Sequence, residues 1–170
     1  MGRHILSVLV ENQAGVLSRV AGLFSRRGFN IDSLAVGTTE DANVSRMTIV
    51  VDGDEYTVEQ VSKQLNKLID VIKVRRLEKD ELLIRELVLA KVTATAETRS
   101  EIIQIVDIFR GNIVDVAQNA LTIEITGDAD KINAFEEMVR IFGIKEMVRT
   151  GTIAIERGNK SIKTNNAEEE

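Results

Sequence analysis

The chain of 170 residues sets 22 Lys and Arg against 27 Asp and Glu, a formal net charge of −5, and contains no Cys, Trp or Pro. An acidic balance with only 4% aromatics excludes a general nucleic-acid binder, which needs a basic face and rings on which bases can stack. The missing Cys excludes disulfides, thiolate nucleophiles and cysteine metal sites.

The remaining composition, 44% hydrophobic and 29% charged, is that of a folded domain with aliphatic cores, long enough for one large or two small domains. A signal-peptide core and any run of about 18 apolar residues are both absent, so the expected compartment is the cytoplasm.

His4 to Val10 reads as a buried strand that stops at the polar turn Glu11-Asn12-Gln13-Ala14-Gly15. Helical spacing then begins with Val16, Leu17, Val20, Ala21 and Phe24 and closes at Gly28. Phe29 to Thr38 and Ser45 to Asp52 are predicted strands, joined by the polar turn Thr39 to Asn43. A helix with Val58, Val61, Leu65 and Leu68 on one face precedes a strand over Val71 to Leu77. After the charged bridge Glu78 to Glu81, the order starts again. It runs strand Leu83 to Thr95, helix Arg99 to Phe109, strands Asn112 to Gln118 and Leu121 to Thr126, helix Ala129 to Phe142 and strand Lys145 to Glu156.

This is βαββαβ twice. Arg27-Gly28-Phe29-Asn30-Ile31-Asp32 is echoed by Arg110-Gly111-Asn112-Ile113-Val114-Asp115, an offset of 111 − 28 = 83 that carries His4 onto Leu87. Gly53-Asp54 pairs with Gly127-Asp128 at 127 − 53 = 74, so the length difference falls between the second and third strands, where a loop can vary. The expected fold is α+β, two tandem ferredoxin-like βαββαβ domains (1–78 and 82–157) with antiparallel sheets and helices on one face. Each sheet is then left with a bare face and open edges, which predicts a homodimer. Residues 158–170 lack an apolar period and end in like charge, reading as a flexible tail.

Catalytic chemistry is missing from the pattern. The single His4 stands at a strand start with no second His or Cys to form a triad or metal set. Asp52-Gly53-Asp54-Glu55 and Gly127-Asp128-Ala129-Asp130 lie where strands turn into helices, so helix capping is favoured over a hard-metal site. There is no phosphate loop, dinucleotide fingerprint or nucleophile elbow. No catalytic or metal residue is therefore assigned. A strand–turn–helix junction does leave backbone NH groups at the positive end of a helix, suited to a carboxylate, with Gly15 keeping the approach clear. On the junction alone, a plain capping turn is the simpler reading.

A resemblance shifts that balance. The βαββαβ unit with a Gly-containing first turn resembles an ACT domain, a module that senses small molecules and typically binds amino acids between paired copies. More closely, His4 to Asn12, Gly15 to Val20, Gly22 to Ile31, Ser45-Arg46-Met47-Thr48 and Ile108 to Asp115 resemble the regulatory small subunit family of acetolactate synthase, also called acetohydroxyacid synthase. The resemblance spans about residues 3 to 157. One departure is Ala14, where many ACT domains carry Pro before the loop Gly.

The resemblance implies a subunit of branched-chain amino acid biosynthesis. Such a subunit binds and activates a catalytic large subunit and confers feedback inhibition by valine. Thiamine diphosphate, Mg and FAD are expected on that large subunit and no cofactor on this chain. The implied ligand site holds Asn12, Gly15, Val16 and Leu17, with Asn30 and Ile31 supplied by the neighbouring copy. The NH groups of Gly15, Val16 and Leu17 would hold the carboxylate and the Asn12 and Asn30 amides would bond the ligand's polar groups. The second repeat has Thr95-Ala96-Glu97-Thr98-Arg99 at the corresponding turn, without Gly, so sensing is expected in the first. The competing readings are a stand-alone ACT-type regulator of another enzyme or of transcription, and a small enzyme on a ferredoxin-like fold. Neither a recognition helix nor an acid–base–nucleophile set supports them.

Overall fold

A computed structural model describes residues 2–78 and 81–163. Its elements are β1 (Gly2–Glu11), α1 (Val16–Arg27), β2 (Ile31–Thr38), β3 (Val44–Gly53), α2 (Glu55–Leu65), β4 (Val71–Leu77), β5 (Leu82–Thr93), α3 (Arg99–Ile108), β6 (Asn112–Ala117), β7 (Ala120–Gly127), α4 (Ala129–Arg140), β8 (Ile144–Arg149) and β9 (Ile153–Glu156). Two antiparallel sheets follow, in orders β2-β3-β1-β4 and β6-β7-β5-β8, with β9 pairing β5. Both are the ferredoxin-like order expected of βαββαβ.

The chain divides into two compact units. Among the described residues, one comprises 2–78, 81–83 and 152–163, and the other 84–151. In the first, Leu6, Val8 and Val10 of β1 and Met47, Ile49 and Val51 of β3 form one buried sheet face. Val16, Val20, Leu23 and Phe24 of α1 and Val58, Val61 and Leu65 of α2 cover it. The α1 spacing of i, i+4, i+7 and i+8 is the apolar stripe of a helix laid on a sheet, and burying each such side chain contributes roughly 1.5–3 kcal/mol. Leu68, expected on α2, lies beyond its end and still packs on this core. The second unit repeats the arrangement with Val88, Ala90, Val92, Ile123 and Ile125 beneath Ile102, Val106, Ile132, Phe135 and Val139.

The helix ends show how the repeats correspond. Gly28 takes φ +69° after α1, and the next NH, that of Phe29, donates back to Phe24 O at 3.0 Å, a Schellman turn. After α3 the left-handed residue is Arg110, φ +54°, and Gly111 N donates to Val106 O at 2.9 Å. Gly28 therefore corresponds to Arg110, an offset of 110 − 28 = 82. Gly111 is glycine for another reason: a Cβ there would lie 3.1 Å from Glu124 O.

The first strands agree. Register shifts at Leu9/Val10 in β1 and Lys91/Val92 in β5 again differ by 82. The offset of 83 would have carried buried Leu6 onto Leu89, which is 37% exposed. Side chains alternate with period two along a strand, so a slip of one residue exchanges core for surface.

Two further expectations are revised. The strand expected over Lys145 to Glu156 is broken between Arg149 and Ile153, where Gly151 takes φ +80°. Residues 152–163 group with the first unit, while β9 within them still pairs β5. The first sheet's second face is also not bare. Ile5, Ser7, Leu9, Thr48, Val50 and Leu77 are buried there, and residues 152–163 hydrogen-bond across it. Residues 158–163, expected in the tail, thus include buried Ile162; the rest of the expected tail, 164–170, lies outside the described residues, as do Lys79 and Asp80 of the charged bridge.

Candidate functional site

The turn between β1 and α1 is built by competition for hydrogen bonds at a strand end. Glu11 N donates to Asp70 O at 2.9 Å and Asn12 N to Asn43 O at 2.7 Å, so the strand's last donors are taken by loops on either side. Gln13 N turns back to Glu11 O at 3.0 Å. Gly15 then adopts φ +86°, ψ −10°, the left-handed region, immediately before the helix. Only glycine enters that region without a Cβ penalty. Gly15 is thus required by backbone conformation as well as by room for an approaching ligand.

Among the described residues, no side chain caps α1. Of the three NH groups expected to be free, that of Val16 is committed, at 3.4 Å, to Gln13 O. This is long for an N–H···O bond. The Gly15 and Leu17 NH groups make no hydrogen bond among the described residues. Val16 anchors the turn with its buried side chain, while Leu17 is half-exposed. Asn12 Nδ2 donates to Ala42 O at 2.9 Å, which fastens the turn to the β2–β3 connection and leaves Oδ1 to accept from a ligand.

Arg19 and Asp70 were not anticipated. Arg19 lies one helical turn beyond Gly15, and a Cβ built on Gly15 would come within 3.0 Å of its guanidinium. Arg19 Nε donates to Asp70 Oδ2 at 2.5 Å. A cation at the open start of α1 adds to the positive end of the helix dipole. Its i+4 spacing from Gly15 is legible in the sequence. The approach of Asp70 depends on where β4 pairs, which is not.

Asn30 and Ile31 stand elsewhere. Ile31 pairs with Val51, which pairs with His4, whereas the turn follows Glu11. Seven residues of β1 separate the two levels, a span of about 24 Å at ~3.4 Å per residue. Within one chain Asn30 and Gly15 therefore occupy opposite ends of the sheet. Asn30 Nδ2 makes a long 3.4 Å contact to Asp32 Oδ1, and Asp32 pairs with Arg3 Nε at 3.2 Å.

The corresponding turn of the second unit is closed by its own side chains. Thr95 N donates to Thr98 Oγ1 at 3.0 Å and Thr98 N to Thr95 Oγ1 at 3.3 Å. Hydrogen bonding from Thr95 also holds the Glu97 carboxyl below its ordinary pKa. The position matching Arg19 is Glu101, and the turn's own Arg99 donates to Ala117 O and Gln118 O at 2.9 and 2.7 Å. The acidic clusters act as caps: Asp54 accepts from Thr57 N and Asp128 from Lys131 N, at 2.8 and 2.9 Å. His4 Nε2 lies 3.2 Å from Gly53 O at the strand start.

Two family models match the chain in turn. Residues 6–73 match the family described as AHAS small subunit-like ACT domain, and residues 85–158 the family described as small subunit of acetolactate synthase. The probable acetolactate synthase small subunit of Methanothermobacter thermautotrophicus is 58% identical over 94% of this chain and 95% of its own. The small subunit of Mycobacterium leprae is 55% identical over 95% of each. The crystal structure of the small subunit from Thermotoga maritima superposes with a TM-score of 0.89 at 42% identity, over 94% of this chain and all of that one. The chain belongs to the acetolactate synthase small-subunit family.

Proposed function

We propose that the chain is the regulatory subunit of acetolactate synthase: it binds the thiamine-diphosphate-dependent large subunit, raises its activity, and makes that activity responsive to valine. The names of its relatives support the large subunit as partner. The effector site is proposed between two copies of the first unit, so a homodimer is the smallest sensing species. In it the α1 turn of one copy, with Asn12, Gly15, Val16, Leu17 and Arg19, faces Asn30 and Ile31 of the other.

The carrying observation is the uncapped start of α1 beside a guanidinium. An α-carboxylate satisfies donors that no side chain satisfies. The separation of Asn30 from this turn within one chain is why two copies are needed to complete the site. Burying a valine side chain contributes roughly 1.5–3 kcal/mol and a charge-assisted hydrogen bond about 1.5–3. Set against ordering costs, these give micromolar to sub-millimolar affinity, on the order of 10⁻⁶ to 10⁻³ M.

The test is acetolactate formation from pyruvate by the large subunit, with and without this chain and valine. Activation by the chain, reversed by valine, is expected. Failure to bind or activate the large subunit would refute the reading in favour of a stand-alone sensor. Activation without any amino-acid response would retain the partner and remove the effector.

A further inference from the structure

The first sheet is covered by α1 and α2 on one face, and a four-stranded sheet of this kind ordinarily leaves its other face to solvent or to another chain. Here that face is closed by the end of the same unit. Thr152 N donates to Ser33 Oγ at 2.9 Å, Arg46 donates to Ala154 O at 2.7 Å, and Arg75 donates to Ser161 O. Arg75 also pairs with Glu156 at 3.1 Å, both side chains largely buried. Lys163 pairs with Glu40 at the far end. Three of the four strands thus supply a contact: Ser33 from β2, Arg46 from β3 and Arg75 from β4.

The segment alternates as a covering strand should. Ala154 is buried, while Ile153 and Ile155 are each 52% exposed, so the small residue faces the sheet and Ile162 seals further along. Beneath lie Ile5, Leu9, Val50 and Leu77 and the Ser7 hydroxyl, which is buried without a hydrogen-bond partner among the described residues. Burial lowers the Arg46 pKa and the Glu156 carboxylate opposes that, so Glu156 is the counter-charge for two enclosed guanidinium groups.

We propose that residues 152–163 form a strap that locks the second face of the first sheet, so that the rigidity of β1 and β3, and of the α1 turn they lead to, is set by this distant segment. The unit that carries the turn is built from two distant stretches, and residues 1–78 do not make it alone. Uncovering the sheet would expose four apolar side chains and separate Arg75 from Glu156. This holds whatever ligand the α1 turn takes.

The test is amide hydrogen exchange, read by peptide, on the full chain carrying Ala154→Asp with Ile162→Asp, which places charge at both buried strap positions, and separately on Glu156→Gln. Exchange in residues 2–11 and 44–53 should accelerate at least about tenfold in the double variant and severalfold in Glu156→Gln, while residues 121–127 of β7 keep their protection. Release of the strap amides with no change in β1 and β3 would overturn the proposal. So would full protection of the strap in the double variant. If the double variant unfolds throughout, Glu156→Gln decides: unchanged exchange in β1 and β3 refutes the strap, and selective acceleration supports it.

Discussion

Arg19 Nε and Asp70 Oδ2 meet at 2.5 Å, joining the first turn of α1 to the residue before β4. Asp70 also accepts Glu11 N through its carbonyl, so one residue holds both arms of the β1–α1 turn. Its carboxylate is nearly buried while half of the Arg19 side chain is exposed. The pair orients the guanidinium at the helix start, and loss of Arg19 would leave a nearly buried carboxylate unpaired.

Arg19→Met strands the nearly buried Asp70 carboxylate and should cost about 2–3 kcal/mol of stability and weaken valine binding by about tenfold, or ~1.4 kcal/mol. Calorimetric titration beside a thermal melt separates the two. An unchanged affinity would place the carboxylate away from this helix end.

Gly15 separates conformation from charge. At φ +86°, Gly15→Ala should cost about 1–2 kcal/mol and Gly15→Asn less, since Asn tolerates this region. Gly15→Asp matches Asn in shape and adds a carboxylate at the positive helix end. Its loss of valine response beyond that of Gly15→Asn, read by titrating inhibition, should reach about tenfold.

In the second unit Glu86 is buried and accepts from Arg149 Nε at 2.7 Å and Nη2 at 3.2 Å, and the same contact raises the Arg149 pKa. The two halves of the pair are unequal, because Arg149 reaches solvent and Glu86 does not. Arg149→Ala, which strands a buried carboxylate, should cost about 2–3 kcal/mol, and Glu86→Ala about 1. Urea unfolding monitored in β5 would show the order, and equal costs would contradict it.

Asp54 gives a pH dependence of known sign. Its hydrogen bonds with Thr57 hold the carboxyl below its ordinary value of 3.8. The charged cap is thus fully present above that value and is lost as pH falls through the lowered one. The difference in Tm between the unaltered chain and Asp54→Asn should be constant above about pH 5 and close in more acidic solution. A constant gap throughout would show that the charge contributes nothing.

Local chemistry in the sequence determined the elements. Apolar spacing gave α1 its bounds of Val16 to Arg27 as found, the turn residues separated the strands, and the doubled βαββαβ order led to two ferredoxin-like sheets. The turn with Gly15 at the start of α1 was legible because strand, turn and helix are adjacent in the chain. Tertiary structure decided what depends on register and return. The repeats align at 82 because a bulge and a left-handed Arg110, rather than matching glycines, set the alternation of strand faces. Asn30 lies a sheet length from Gly15 because antiparallel pairing sends β2 to the other end. Asp70 reaches Arg19, and residues 152–163 return to the first sheet, through contacts between positions far apart in sequence. Periodicity reports which face a residue takes, and only the folded chain determines what covers that face.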